Sequence, residues 1–361
     1  MKILQVYKDI FPEVSGGIER YIHDLACFLI DMGHSVEVIV AGGGNRKVGN
    51  ISISGVSTLG RVLSTPLSPG YVKALEKTDA DVIHFHLPLP TAVLAWFLTK
   101  KKNRKPYIIT YHSDIVRQAF FMPFYGPILR KFLSGACKVI ATSPKYISTS
   151  DYLKNLSNTI AIPVGVDLKK FYPITAPTRD YYLFVGRFRA YKGIFVLLEA
   201  WKQMKIKSLP KLLLVGGGGQ IDQISKYVAD NNLPITIITD VDDKELLQLY
   251  QNAKALILPS IQRSEAFGMV QVEAMASATP VVSSNLPTGV SWVNQDEITG
   301  KLFRTGDPDS LIKTILAFED GSFSIDKMGK NARKRAVLEF DSIKLFTQVE
   351  DCLKVAEKIM S

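Results

Sequence analysis

Alternation restricts this chain more than any other feature. Short, apolar, β-rich runs take turns with longer segments of helical periodicity, and the pattern pauses once and restarts. Runs at 2–7, 35–40, 81–85, 107–111, 138–142 and 159–163 read as strands. Between the first two, Ile18, Tyr21, Ile22, Leu25, Phe28 and Leu29 recur at helical spacing over 17–32, with Gly33 at the stop. Continuous apolar strands interleaved with helices specify a parallel sheet covered on both faces. At Phe171–Asp180 the pattern lapses into a polar stretch holding Pro173 and Pro177, a linker by composition. Strands resume at 181–185, 212–215, 235–239, 255–258 and 280–283, and 341–360 closes the chain as an amphipathic helix. The expected class is α/β, with two doubly wound parallel-sheet domains facing a central cleft. The first covers residues 1–172 and the second 178–340, with a last helix, 341–361, packing back on the first. Ligands of such sheets bind beyond the C-terminal strand ends.

Composition narrows the class. Of 361 residues, 47% are hydrophobic and 22% charged, which excludes disorder and collagen-like fibres and supplies enough apolar surface for two cores. Cys27, Cys137 and Cys352 are far apart, with neither disulfide-framework nor metal-site spacing, and fit a reducing cytoplasm. The N-terminal run Met1–Tyr7 is too short for a secretory core, and Leu87–Leu98, broken by Pro88 and Pro90, is too short to span a bilayer. A soluble, cytoplasmic protein is expected. The net charge of +10 suits nucleic acid, an anionic membrane surface or phosphorylated ligands, without choosing among them.

The sharpest constellation lies at 259–276, where a strand ends, a polar loop carries Glu265, and a helix begins near Phe267 and carries Glu273. Eight positions along one helix would separate the carboxylates by roughly 12 Å. A glycosidase pair needs about 5–9.5 Å, so hydrolysis by paired acids is disfavoured. One Glu on the loop and one on the helix better suit different parts of an extended ligand; an acidic helix start with a solvent-facing Glu273 competes. A second constellation, Val185-Gly186-Arg187-Phe188-Arg189-Ala190-Tyr191-Lys192-Gly193, closes a strand and opens a helix. The forked guanidinium of Arg187 and the point charge of Lys192 together suit a diphosphate, and a solvated basic turn competes. Gly16 and Gly17 follow the first strand and admit close approach of a ligand to the backbone. His112, in Tyr111-His112-Ser113-Asp114, begins where a strand ends. His84 and His86 share one face of a strand, but no Cys, Asp or Glu completes a metal set with His112. His23 and His34 read as surface residues, and so does Arg189.

Two of these segments together resemble the signatures of retaining glycosyltransferases of the GT-B fold, specifically glycosyltransferase family 4. Glu265-Ala266-Phe267-Gly268-Met269 through Glu273 is similar to the family's E-x-F-G-x-x-x-x-E, and Gly186-Arg187 through Lys192-Gly193 to its G-R-x-x-x-x-K-G. The resemblance covers the whole chain and implies two Rossmann-like domains, the first on the acceptor side and the second on the side of a nucleotide-sugar donor. It implies that Glu273 binds the ribose hydroxyls and that Glu265 lies beside the transferred sugar. The backbone of Phe267, Gly268 and Met269 would meet sugar hydroxyls and phosphates, Arg187 and Lys192 would neutralise the diphosphate leaving group, and the amides of Gly16 and Gly17 would face that diphosphate. His112 matches the family's strand-end H-x-x-D segment, whose histidine contacts the donor sugar near the reacting carbon. The family's chemistry implies front-face displacement, with the departing phosphate helping to deprotonate the acceptor. No catalytic metal or other cofactor is expected, since the nucleotide sugar is a substrate. Two departures stand out: Ala278 where the family usually has Gly before Thr279-Pro280-Val281-Val282, and Val164 for Asn in Pro163-Val164-Gly165-Val166-Asp167, a turn assigned to the domain junction.

Two decoys fall away on local grounds. In Asp240-Val241-Asp242-Asp243 the D-x-D pattern runs into a helix at 244–251, so Asp242 or Asp243 reads as an N-cap. Gly216-Gly217-Gly218-Gly219-Gln220-Ile221 lacks the third glycine of a dinucleotide fingerprint. Trp96–Lys105 sets an apolar helix end beside five cations, and 117–125 mixes aromatic and basic residues before Arg130 and Lys131. Such a surface suits anionic headgroups and a lipid-diphosphate-linked glycan acceptor at the inner face of the membrane; an ordinary cation-rich helix C-terminus competes. The expected activity is transfer of a hexose or N-acetylhexosamine to a glycan hydroxyl in bacterial surface-polysaccharide assembly. A GT-B-fold nucleotide-sugar epimerase is the first alternative. A basic nucleic-acid-binding protein is the second; no nucleic-acid motif supports it.

Overall fold

The computed structural model describes residues 1–14, 16–62, 65–115 and 119–359. They form two compact units, one made of Met1–Pro163 with Ile343–Ser361, the other of Val164–Ser342.

The first unit runs β1 (Lys2–Val6), α1 (Gly17–Asp31), β2 (Ser35–Ala41), β3 (Arg46–Val48), β4 (Ile51–Val56), β5 (Arg61–Val62), β6 (Thr65–Pro66), α2 (Gly70–Lys77), β7 (Val82–Leu87), α3 (Pro90–Leu98), β8 (Tyr107–Tyr111), α4 (Met122–Ser134), β9 (Lys138–Ala141), α5 (Pro144–Thr149) and β10 (Thr159–Ala161). Its sheet has the order β10-β9-β8-β7-β1-β2-β4-β3 and is parallel except for the edge strand β3. Central β7 is buried at every position, as a strand covered on both faces must be. Phe85, Trp96, Tyr107 and Phe132 pack edge-on and stacked around it, at centroid separations of 4.7–6.4 Å.

The second unit runs β11 (Tyr181–Val185), α6 (Ile194–Gln203), β12 (Lys211–Val215), α7 (Ile221–Asp230), β13 (Ile235–Ile238), α8 (Asp243–Asn252), β14 (Ala253–Leu258), α9 (Met269–Ala276), β15 (Val281–Ser284), α10 (Val290–Val293), β16 (Gly300–Phe303), α11 (Pro308–Glu319) and α12 (Ile325–Glu339). Its sheet is wholly parallel, in the order β13-β12-β11-β14-β15-β16. That is the doubly wound order, which reverses direction between β11 and β14 and opens a crevice at their C-terminal ends. Local chemistry agrees with the topology. Asp242 caps α8 in a full capping box with Glu245, the structural role its acidic run suggested, and Asp307 caps α11 ahead of Pro308.

The last helix, α13 (Ser342–Lys358), belongs with the first unit through nearly all its length. Phe346 packs against Tyr21 and Phe28 of α1, and Glu350 hydrogen-bonds His34 at 2.8 Å. His34 is therefore a half-buried anchor for α13, not the surface residue its sequence context suggested.

The division of the chain falls at Pro163, ahead of the polar stretch 171–180. Phe171 is buried against Tyr250, and the carbonyls of Phe171 and Tyr172 accept bonds from Arg333 and Gln251, which fastens this stretch to the second unit. Val166 and Asp341 form a bridge, so the outgoing and returning chain lie side by side there.

Candidate active site

In the second unit, the loops that leave β11 and β14 meet at the reversal of strand order. Gly193 ends the first loop with φ +68°, and a Cβ there would run into the carbonyl oxygen of Pro259. The Ile261 amide donates to the Tyr191 carbonyl at 2.8 Å, locking one loop to the other. This places the Lys192 ammonium 2.6 Å from the Glu265 carboxylate, both about nine-tenths buried. The Ser260 hydroxyl donates to the same carboxylate oxygen at 2.9 Å. Burial works against the Lys192 ammonium, but the Glu265 charge, Tyr191 and the hydrogen bond outweigh it and the opposing charge of Arg187, so its pKa is held above the usual lysine value. Arg187 and Arg189 lie exposed on the same loop.

Beyond Glu265 the loop is pinned from below. Thr288 donates to the Glu265 carbonyl at 2.9 Å, and the Gly289 amide to that of Ala266 at 2.7 Å. Phe267 is buried edge-on against Phe340, so its ring anchors the loop and leaves its backbone for any ligand. Helix α9 begins at Met269, two residues later than its sequence suggested, because Gly268 takes a left-handed φ of +75° as N-cap. No side chain caps α9, so its first turn presents amides suited to anionic oxygens. Half-buried Glu273 sits one turn further on and accepts a 2.7 Å bond from the Tyr250 hydroxyl. Burial, then the Glu273 charge and hydrogen bond, drive the Tyr250 pKa well above the ordinary value.

Tyr250, Ser260 and Gln271 escaped the sequence reading. Tyr250 carries the spacing of a core residue on α8, and nothing in the sequence marks its hydroxyl. Gln271, fully buried, donates to the Phe267 carbonyl at 2.9 Å and so holds the turn into α9.

His112, Gly16 and Gly17 belong to the first unit. Gly16 is the extended N-cap of α1, and Tyr21 on the next turn packs edge-on against the His112 ring at 5.3 Å. The Leu87 carbonyl accepts a 2.9 Å bond from the His112 amide, which fixes this residue at the ends of β7 and β8. In the sheet order, the reversal lies between β1 and β7. Gly16–Gly17 and His112 thus follow strands at or beside that point.

Of the aromatic-basic surface, Phe120, Phe121 and Phe124 are exposed, as are Arg130 and Lys131. Arg117 and Gln118 lie outside the described residues. Trp96, by contrast, is buried, and Arg104 stacks on it while donating to the carbonyls of Phe97 and Thr99. That part of the basic run closes a helix C-terminus. Among the described residues, no helix is long and apolar enough to cross a membrane.

Residues 15–170 match the model of "Glycosyltransferase Family 4" and residues 169–335 that of "Glycosyl transferases group 1". The chain is 30% identical over 352 residues to the D-rhamnosyltransferase WbpZ of Pseudomonas aeruginosa, covering 93% of this chain and 91% of that one. It belongs to glycosyltransferase family 4. An O-antigen chain mannosyltransferase C of Escherichia coli is 29% identical over 93% of each chain. Among solved structures, Alr3699/HepE of Anabaena in complex with UDP superposes with a TM-score of 0.80 at 19% identity, over 98% of this chain and 100% of that one. As a family 4 member the protein is a glycosyltransferase, and its two parallel-sheet α/β units are those of the GT-B fold.

Proposed function

We propose that this glycosyltransferase is a retaining enzyme that moves a hexose from a nucleoside-diphosphate sugar to a hydroxyl of a lipid-linked glycan in bacterial surface-polysaccharide assembly. One observation carries the reading: Lys192 and Glu265 are paired at the strand-order reversal of the second unit, where a phosphorylated ligand of such a sheet belongs. Lys192 and Arg187 stabilise the diphosphate as its bond to the sugar carbon breaks. The new bond from that carbon to the acceptor oxygen forms on the same face, and the acceptor proton passes to the departing phosphate. Glu265 orients the sugar, the first turn of α9 meets anionic oxygens, and Glu273, held by Tyr250, binds the ribose. The relatives' names, a mannosyltransferase and a D-rhamnosyltransferase, favour a donor sugar of manno configuration. The test is a thermal-shift panel of GDP-mannose, UDP-glucose and UDP-N-acetylglucosamine, followed by product analysis with and without a glycan acceptor. Stabilisation by no nucleotide sugar would overturn the reading, and conversion of donor without acceptor would make the protein an epimerase.

Exposed Phe120, Phe121 and Phe124 at the start of α4, with exposed Arg130 and Lys131 toward its other end, support a second element: docking on an anionic lipid surface that carries the acceptor. Vesicle flotation tests it, with binding expected to require anionic lipid and to fall with salt. Equal recovery with neutral vesicles or none would reject it.

A further inference from the structure

In the first unit, β1, β7 and β8 lie side by side and turn a row of polar side chains to one face. Gln5 is in register with His84, and His86 with Thr110. All are buried, in a sheet whose other interior positions are almost wholly apolar. His86 is hydrogen-bonded through both ring nitrogens, from Nδ1 to His112 Nε2 and from Nε2 to Gln5 Oε1, each at 3.1 Å. The His86 and His112 rings are within 21° of parallel with centroids 5.3 Å apart, as a bond in the plane of both rings requires, and Tyr21 packs edge-on against both. His84 stands beneath His86 but bonds elsewhere, to Thr110 Oγ1 at 2.7 Å.

Donor and acceptor rules order this chain of bonds. A neutral imidazole has one N–H and one lone pair. Burial opposes charging any of the three histidines. The Gln5 amide is placed so that its carbonyl oxygen faces His86 and its buried nitrogen has no partner among the described residues. That oxygen can only accept, so the His86 proton is on Nε2 and its Nδ1 carries the lone pair. His112 must then donate from Nε2, which leaves a lone pair on its own Nδ1. The reversed amide would invert both assignments.

We infer that Gln5 and His86 are positioning residues that hold His112 in the Nε2–H tautomer, so that His112 Nδ1 serves the transfer reaction as a fixed hydrogen-bond acceptor for a donor-sugar hydroxyl. This rests on the reading of His112 as a donor contact. It adds the chemical sense of that contact: an acceptor for a neutral hydroxyl, neither a proton donor nor a cation. It also assigns work to a glutamine at the start of the chain that makes no part of either motif.

The five histidines make the test direct. In full-length protein labelled with ¹⁵N-histidine, two-bond nitrogen–proton spectra distinguish the tautomers, and single His variants assign them. His112 should appear as Nε2–H. His86→Asn, which can keep an acceptor oxygen near the place of Nδ1, should preserve that signature and stay within about threefold of wild-type turnover. His86→Phe and Gln5→Met should mix the tautomers and lower kcat/KM for the donor about tenfold, the value of one hydrogen bond. An Nδ1–H tautomer at His112 in the wild type overturns the relay. So does an unchanged spectrum and rate in both His86→Phe and Gln5→Met. Full activity in His112→Ala instead removes the donor-contact reading, a failure distinct from a wrong tautomer.

Discussion

The Lys192 ammonium and the Glu265 carboxylate lie 2.6 Å apart, nearly sealed from solvent, at the ends of two strands adjacent in the sheet but not in the chain. Deleting one partner strands a buried charge, which costs about 3–5 kcal/mol. Lys192→Met should therefore destabilise the protein by that order, and Lys192→Met with Glu265→Gln should recover most of the loss. Urea unfolding of the four proteins of the cycle measures it; simple additivity would contradict a coupled pair.

The same pair gives an alkaline prediction. The Lys192 pKa is raised above its ordinary 10.5 in the folded state. Its contribution to stability is therefore complete below 10.5 and lost as pH rises through the folded value. Stability should fall more steeply above pH 10.5 in the wild type than in Lys192→Met.

Buried histidines act at the other end of the scale. Burial lowers His84 and His112 to about 3, and His86 well below its usual value. Between the ordinary value of 6.5 and those low values the unfolded chain binds more protons, so stability should drop as pH falls below 6.5. Each histidine adds a slope of about 1.4 kcal/mol per pH unit. His84→Gln should flatten the acid limb of a pH–stability curve, while activity from pH 6.5 to 9 should show no inflection from these rings.

Tyr250→Phe removes the hydroxyl that holds Glu273. A bond to a charged group contributes about 1.5–3 kcal/mol, so donor KM should rise at least tenfold. The change in kcat should be smaller if Glu273 binds the ribose as proposed, because the ribose is remote from the breaking bond. Glu273→Ala should act in the same direction and more strongly. Arg187→Ala should instead lower kcat, by about a hundredfold. Steady-state kinetics with the donor found in the panel separate the two patterns.

Ala278 follows α9 with φ +58°, a left-handed conformation that its Cβ disfavours by about 1–2 kcal/mol. Glycine there costs some chain entropy on folding, about 0.4–1 kcal/mol. Ala278→Gly should therefore stabilise the protein by roughly 0.5–1 kcal/mol. An unfolding midpoint at or below that of the wild type would refute it.

Sequence alone carried most of the fold because buried parallel strands leave unbroken apolar runs, as in Val82–Leu87. It missed β4, where Ile51, Ile53 and Val56 are buried but serines and a glycine intervene, and β16, where Gly300 and Lys301 dilute the signal. The charged edge strand β3, Arg46-Lys47-Val48, offered a single apolar residue. At the candidate site, the motif residues stood out by type and spacing. Their supports did not. Tyr250 reaches Glu273 across 23 positions, and Lys192 reaches Glu265 only because β11 and β14 are neighbours. Residue type and local spacing say nothing of such contacts until the strand order is known.

The return of α13 to the first unit bears on how the protein is made. The faces of Tyr21, Phe28 and His34 that receive Phe346 and Glu350 emerge early in synthesis, yet their cover is translated last, after the entire second unit. At about 5–20 residues per second, residues 164–342 occupy the ribosome for roughly 10–40 s. Throughout that interval the first unit lacks its final helix. A nascent chain truncated before Ile343 should therefore be the species most in need of a chaperone, although it contains every residue assigned to the transfer of sugar.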